Sequence, residues 1–292
     1  HMLGGTRDQI IAALSQAWVD GSSLRTYRHA PNAGSRKSWA AGDATSRAVR
    51  LAMITMTGEM GMPSVLSTPE WGFYDVSFKS KEFSFSKNYG SYVMENILFK
   101  ISFPAEFHAQ TAVECAVLLY PEIKEKLHEI ERIEVTTHES ALRIIDKTGD
   151  LDNPADRDHC MQYMLAVAMI KGDLVAEFYE DTFHQKNPLI DELRNKMVLN
   201  EDIRYSKDYL ADDKRSIANA LQIFFKDGSQ TDKVEVEYPI GHRNRRQEGI
   251  PLLERKFLNS LKGTFSGVQS NKIYSLCLDN EKIKKTPVNE FM

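Results

Sequence analysis

The chain has 292 residues, of which 42% are hydrophobic and 27% are charged, so it belongs with globular proteins and not with disordered or collagen-like chains. Lysine and arginine number 37 and aspartate and glutamate 41, and the net charge of −4 argues against binding nucleic acid or anionic lipid through overall charge. We expect no membrane span and no signal peptide, because the apolar runs are short. The three cysteines lie far apart, which predicts a reducing compartment and neither a disulfide framework nor a metal site: Cys115, Cys160 and Cys277.

Helical patterns open the chain. Thr6 and Gln9 have the spacing of a capping box, and the apolar residues that follow predict a helix that faces a core. After a basic loop, Asp43 predicts the N-cap of a second helix that ends at Gly58. Residues 61–96 mix glycine, proline, serine and aromatic residues with little periodicity, and we predict turns and short helices there.

The middle of the chain mixes helix and strand. Pro104 predicts the start of a helix through HAQTAVECAVLLY, whereas the β-branched residues of IERIEVTTHESALRII predict a strand. Asn-Pro pairs at 153–154 and 187–188 predict two further helix starts, the first for a helix through ADRDHCMQYMLAVAM. The segments ANALQIFFKDG and DKVEVEYPI flank a turn and predict a β-hairpin.

The last part is helical again, since IPLLERKFLNSLKGTF carries apolar residues at helical spacing and SNKIYSLCLDNEK predicts a shorter helix capped at Ser270. The order of helical, mixed and helical segments predicts an α+β protein in which a helical domain is interrupted by an inserted α+β lobe. We place the first helical segment at 3–99, the inserted lobe at 100–242 and the returning helical segment at 243–292.

The densest positive charge lies in RTYRHAPNAGSRK. Arginine offers a planar fork that fits carboxylate or phosphate, and lysine offers a compact charge that can also transfer a proton. The segment therefore predicts a site for a small polyanion, although a solvated basic loop is the alternative that charge alone favours. Five residues of this loop are the candidates: Arg25, Arg28, His29, Arg36 and Lys37.

Other polar groups give weaker signals. GHRNRR is basic but lacks interleaved aromatic residues, and we predict a solvated linker in preference to a nucleic-acid site. The single histidines His108, His138 and His159 have no metal-ligand spacing, which favours structural roles. His159 and Tyr163 are four residues apart on a predicted helix and could face one pocket, with core packing as the alternative for Tyr163. Neither a phosphate-binding glycine loop nor a G-x-S-x-G elbow is present.

Several longer motifs together resemble one family, the MmgE/PrpD family, over nearly the whole chain. The segments that carry this resemblance are RTYRHAPNAGSRKSWAAGDATSRAVRLA, GEMGMPSVLSTPEWGFYDVSF, GSYVMENILFKISFPAEFHAQTAVE, THESALRIIDK, NPADRDHCMQYM, VEVEYPIGHRNRR and PVNEF. The resemblance implies a helical domain interrupted by an α+β lid, in agreement with the order of the predicted elements. It also implies a hydro-lyase of propionate breakdown that removes water from 2-methylcitrate, a tricarboxylate, without a metal or other cofactor. A homodimer is implied as well, in the cytoplasm of a bacterium or the mitochondrial matrix of a fungus.

The resemblance also assigns site residues. Lys37 matches the lysine of the K-x-x-x-x-G-x-A segment, and Tyr163 matches the last residue of the R-x-H-x-x-Q-Y pattern, so both are predicted to be catalytic. Ile101 stands where the family has a lysine and Glu106 where a decarboxylase branch has a histidine, which argues against decarboxylation of cis-aconitate. The predicted substrate-binding residues are Arg25, Arg28, His29, Arg36, His108 and His159.

The resemblance further implies that the chain is the C-terminal portion of such an enzyme, without an aspartate and histidines of the active site. We therefore expect the chain to be inactive, or nearly so, on its own. Two alternatives remain: decarboxylation or isomerisation of a related tricarboxylate on the same fold, or a non-catalytic interaction domain.

Overall fold

The computed structural model describes residues 2–21, 24, 26–28, 36–85, 90 and 95–291. It divides into two compact units, His1–Tyr89 and Gly90–Met292. Within the described ranges, none of the helices combines the length and the apolar character needed to cross a membrane.

The first unit contains helices α1 (Arg7–Val19), α2 (Arg36–Met56) and α3 (Phe73–Ser77). The predicted capping box of α1 is confirmed, since Thr6 Oγ1 accepts from Gln9 N at 3.3 Å and Gln9 Oε1 accepts from Thr6 N at 2.9 Å. The prediction that α2 begins at Asp43 is wrong. The good helix formers before Asp43 extend the helix back to Arg36, whose guanidinium pairs with the Asp43 carboxylate at 3.0 Å.

Most of the helices described for the second unit are short, and three of them depart from the predictions. The helix predicted to start at Pro104 begins at Gln110, after a 3₁₀ helix at Phe107–Ala109. The helix predicted through ADRDHCMQYMLAVAM is interrupted at residues 158–160, and the last long helix begins after Ser266 and not at Ser270. The α-helices described for the second unit are α4 (Gln110–Ile123), α5 (Glu139–Ile145), α6 (Pro154–Arg157), α7 (Met161–Lys171), α8 (Asp181–Gln185), α9 (Leu189–Arg194), α10 (Ile203–Leu210), α11 (Arg246–Lys262), α12 (Gly267–Leu278), α13 (Asn280–Lys285) and α14 (Val288–Phe291).

A mixed sheet gives the second unit its β component, so the α+β class is confirmed. Its strands are β1 (Ile130–Thr137), β2 (Met197–Glu201), β3 (Asn219–Phe225) and β4 (Val234–Val236), in the order β2-β1-β3-β4. The predicted hairpin is confirmed by antiparallel β3 and β4, whereas the parallel pair of β1 and β2 was not predicted. The prediction of a strand through Ile145 is wrong after Thr137, because the helix formers of ESALRII bury Ala141 and Ile145 on one face of α5.

The core of this unit lies between the sheet and two helices. Helix α7 is apolar on all sides and buries every residue from Met161 to Met169. It packs against α4 and α9, while α4 covers β3 and β4. Gly172 ends α7 in the left-handed conformation (φ +69°), where a Cβ would lie 2.6 Å from the Tyr120 ring.

Candidate functional site

Two buried histidines of the second unit face each other. His108 lies in the short 3₁₀ helix Phe107–Ala109 before α4, and His138 lies between β1 and α5. His108 Nδ1 and His138 Nε2 are 2.8 Å apart, so one of these nitrogens donates a proton to the other. His108 is 8% exposed and His138 is fully buried. The pair is thus held in an interior where imidazole charge is costly.

The backbone of His108 is fixed on both sides. Its N–H donates to the Glu106 carboxylate at 2.8 Å, which caps the 3₁₀ helix. Its carbonyl accepts from the side-chain amide of Asn219, also at 2.8 Å. The same Asn219 nitrogen donates to Thr111 Oγ1 at 2.7 Å. The first residue of β3 therefore ties His108 and the start of α4 to the sheet.

Three further side chains complete what we call the histidine cluster. The half-buried Tyr209 ring of α10 stacks on His138 with centroids 4.9 Å apart and approaches His108 at 5.4 Å. Glu106 Oε1 is 3.9 Å from His108 Nε2. His159 pairs with the Asp158 carboxylate at 2.8 Å and acts electrostatically on His108. The cluster consists of Glu106, His108, His138, His159 and Tyr209.

Burial controls the proton affinity of His138, His108 and Tyr209 in this cluster. It lowers the pKa of His138 to about 4, with a further lowering from His108 and an opposing effect of the Ala218 backbone. Burial also lowers the pKa of His108, against the effect of Glu106, and raises that of Tyr209. His138 is therefore neutral at pH 7. A neutral imidazole can accept a proton at one nitrogen and donate from the other, which is what acid–base catalysis requires.

A pocket of about 360 Å³ adjoins the cluster at Tyr209. Its wall combines apolar side chains with two arginines, and we call it the Tyr209 pocket. A larger groove of about 530 Å³ along α11 has no histidine or tyrosine in its wall. The Tyr209 pocket is lined by Tyr209, Ile97, Leu98, Ile217, Arg215 and Arg243, with Asn96 and His242.

The basic segment GHRNRR makes buried and long-range contacts, so the prediction of a solvated linker is wrong. His242 is 2% exposed and stacks on Tyr238 at 4.5 Å. Arg243 donates to Asn96 Oδ1 at 2.8 Å and to backbone carbonyls of the loop before β3. Arg245 donates to both carboxylate oxygens of Glu114 at 2.9 Å, although the two residues are 131 positions apart in the sequence. No local sequence pattern identifies such distant partners.

The candidates of the basic loop belong to the first unit. Arg25 and His29 lie outside the described residues, and only the backbone of Arg28 is described. Arg36 lies over the Trp39 ring at 4.3 Å in addition to its pairing with Asp43. Lys37 occupies the first turn of α2 and is half-buried.

Tyr163 has surroundings unlike those of His159. The Tyr163 ring is fully buried on α7, and its hydroxyl donates to the Phe178 carbonyl at 2.7 Å. Burial raises the pKa of Tyr163 to about 12. His159 precedes α7, beside Asp158. The four-residue spacing therefore does not place the two side chains on one face of a helix.

Tyr163 lies beside a set of charged residues that we call the Arg157 network. Arg157 is 2% exposed and donates to the carbonyls of Tyr179 (2.8 Å) and Leu151 (3.1 Å), and to the Asp181 carboxylate. His184 contacts the Tyr163 ring edge-on at 5.4 Å and pairs with Asp191 at 2.9 Å. The members are Arg157, Asp181, His184, Asp191 and Arg194.

Acidic side chains, histidines and cysteines are the usual ligands of metal ions in proteins. In the part of the chain that the structure describes, no three of them are arranged to hold a metal ion.

Two family profiles match the chain. The profile of the MmgE/PrpD N-terminal domain matches residues 1–86, and that of the MmgE/PrpD C-terminal domain matches residues 103–280.

Individual relatives are similar over the full chain. The 2-methylcitrate dehydratase of Escherichia coli K12 is 56% identical and that of Cupriavidus necator 57%, each over 100% of this chain. A mitochondrial 2-methylcitrate dehydratase of Yarrowia lipolytica is 56% identical over the same share. The chain spans 61% of the length of the two bacterial relatives and 56% of the yeast one.

Proposed function

Because the chain belongs to the MmgE/PrpD family, we propose that it serves as a hydro-lyase that removes water from 2-methylcitrate to give 2-methyl-cis-aconitate. The observation that carries this proposal is the identity of 56–57% over the whole chain with relatives named for that reaction. The chain spans about three fifths of the length of these relatives, so the reaction itself is a proposal. That the chain alone is inactive, or nearly so, is part of the same proposal.

The chemistry of the histidine cluster supports this reaction. Loss of water requires a base that takes a carbon-bound proton and an acid that protonates the departing hydroxyl. We assign proton transfer to His108, whose second ring nitrogen, Nε2, points towards Glu106 and is not used in the contact with His138. His138 fixes the orientation of the His108 ring through its Nδ1. His159 binds substrate beside it.

The cationic loop of the first unit carries the carboxylate-binding residues of the proposal. A tricarboxylate needs several cations, and we assign carboxylate binding to the side chains of that loop and either binding or proton transfer to Lys37. Tyr163 joins the site only if its hydroxyl turns away from the Phe178 carbonyl. The carboxylate-binding residues proposed in the loop are Arg25, Arg28, His29 and Arg36.

The remaining features of the proposal follow the family. In the domain plan of the family, residues 100–242 correspond to the lid and residues 243–292 to the last segment of the helical domain. The enzyme is a homodimer that needs no cofactor, and it works in the cytoplasm of a bacterium or in the mitochondrial matrix of a fungus.

The reaction is tested by incubating this chain, and a form extended to the relatives' length, with 2-methylcitrate and following the ultraviolet absorbance of the new conjugated double bond. In the extended form, His108→Asn should lower kcat by about 100-fold to 10,000-fold, because it removes the proton-transferring imidazole. Circular dichroism confirms that the variant is folded.

The matched control is His128→Asn, which makes the same change at an exposed histidine and should leave kcat unchanged. If neither form releases water from 2-methylcitrate, the proposed function is wrong. Release of carbon dioxide in place of water would indicate a decarboxylase instead.

A further inference from the structure

The pocket beside Tyr209 has the composition of a carboxylate site. We propose that the Tyr209 pocket binds one end of a small organic polycarboxylate through Arg215 and Arg243. The choice of ligand rests on the proposed function, whereas the pocket and its charge are features of the second unit alone.

The size and wall of the pocket suit such a ligand. Its volume of about 360 Å³ is near the lower end of the range of ligand pockets, about 300–1,000 Å³, which favours a small acid over a nucleotide. Ile97, Leu98 and Ile217 provide apolar contact for a carbon skeleton. A mostly apolar wall with a few charged groups is typical of pockets that orient an organic anion.

Arg243 contributes positive charge to this pocket. Within the described ranges, its hydrogen-bond partners are neutral acceptors, namely Asn96 Oδ1 and the carbonyl oxygens of Asp212 and Asp213. These three contacts leave two of the five guanidinium N–H groups for a ligand. Neutral acceptors fix the position of the guanidinium without cancelling its charge.

Arg215 is the second cation. It pairs with Asp212 at 2.6 Å, but the Asp212 side chain is 61% exposed, and water screens its charge. His242 does not add to the charge, because burial and then Arg243 lower its pKa. The cationic side chains in the wall of the pocket are therefore Arg215 and Arg243.

The loop that presents Arg215 is held in an unusual conformation. Arg215 has φ +50°, in the left-handed region that an arginine rarely adopts, and its N–H donates to the Ala211 carbonyl at 2.8 Å. Arg243 binds the same loop at two carbonyls. Backbone strain of this kind is concentrated at functional sites, where the surrounding contacts maintain it.

The pocket adjoins the histidine cluster at Tyr209. Tyr209 lines the pocket and lies 5.4 Å from the His108 ring, measured between centroids. An acid held by the arginines would therefore have its uncharged part near the group to which we assign proton transfer.

Isothermal calorimetry on the full chain tests the proposal, with 2-methylcitrate and with tricarballylate, a tricarboxylate that has no hydroxyl to lose. Arg215→Gln should weaken binding of both ligands by about 10-fold to 100-fold, as expected for hydrogen bonds between charged groups. Arg215→Lys should retain part of the affinity. Arg143→Gln, the same change at an arginine whose side chain is 76% exposed, should leave the affinity unchanged.

The proposal is overturned if Arg215→Gln binds as tightly as Arg143→Gln, or if the unmodified chain shows no saturable binding of either acid. If Arg215→Gln does not fold, Tyr209→Phe decides the question, since it removes only a hydroxyl. A loss of affinity of about threefold to tenfold then supports the pocket, and an unchanged affinity overturns it.

The two ligands also separate this inference from the proposed function. If tricarballylate binding depends on Arg215 but 2-methylcitrate loses no water, the pocket stands and the proposed reaction fails. If water is lost while Arg215→Gln keeps both its Kd for tricarballylate and its KM, the reaction stands and the pocket fails.

Discussion

The histidine cluster and the Arg157 network each contain a histidine in contact with a tyrosine ring of the second unit, but the polar partners of the histidines differ. In the Arg157 network, His184 lies between Arg157 and the Asp191 carboxylate, and Arg157 also binds two backbone carbonyls. In the histidine cluster, the imidazoles of His108 and His138 bind each other.

This difference indicates a structural role for the Arg157 network and a chemical role for the histidine cluster. Paired charges and backbone contacts fix the segments around α7, and they leave little capacity for a ligand. Two histidines with lowered proton affinity, next to a pocket, are suited to proton transfer. The partners of a residue, more than its type, therefore indicate its role.

The largest effect on stability is expected in the Arg157 network. Arg157→Leu should lower the free energy of unfolding by about 3–5 kcal/mol, because it leaves the carbonyls of Tyr179 and Leu151 unpaired in the core. Thermal and urea denaturation measure the loss. Arg143→Leu changes an exposed arginine in the same way and should alter stability by less than about 0.5 kcal/mol. Equal stabilities of the two variants would contradict a structural role for the network.

The second effect is a pH dependence that originates in the histidine cluster. His138 has a pKa of about 4 in the folded chain and about 6.5 when unfolded, so between these values the unfolded chain binds the extra proton. The free energy of unfolding should therefore fall as the pH is lowered from 6.5 to 4, by about 3 kcal/mol for this residue. The lowered pKa of His108 acts in the same direction.

Urea unfolding at a series of pH values measures this dependence. His138→Gln should remove most of the fall, whereas His128→Gln, at an exposed position, should retain it. A variant at 138 that loses stability as steeply as the unmodified chain would show that the buried pair does not control the titration.

The smallest effect is expected at Tyr163, which the resemblance predicts to be catalytic. Its hydroxyl donates to the Phe178 carbonyl, and Tyr163→Phe should cost about 1 kcal/mol of stability. We expect the hydroxyl to stay on that carbonyl, so kcat for 2-methylcitrate should be unchanged. A fall in kcat of about 100-fold or more would instead support a catalytic role for the Tyr163 hydroxyl.

Elements with local signals were predictable from the sequence. The capping box of α1, the presence but not the start of the long helix α4, and the hairpin of β3 and β4 each follow from residues close together in the chain. The parallel strand β2 was not, because its partner β1 lies about sixty residues earlier and only the tertiary fold joins them.

The candidate site shows the same limit. His108 and His159 were predicted to bind substrate, but no sequence pattern combines them with His138 or Tyr209. Those residues come from the ends of different elements, which the sheet and α10 bring together. Likewise, Arg215 was not a candidate, since the left-handed turn that presents it has no glycine or asparagine to mark it.

The close approach of Phe99 and Gly241 has a consequence for the modularity of the chain. Phe99 N donates to Gly241 O at 3.2 Å, and a Cβ at Gly241 would lie 1.7 Å from Phe99 O, so only glycine fits this crossing. The polypeptide therefore enters and leaves residues 100–240 at neighbouring points. A segment whose ends are adjacent tolerates circular permutation and can be inserted into another protein through short connectors. The same geometry allows residues 100–240 to be gained or exchanged as a unit during evolution.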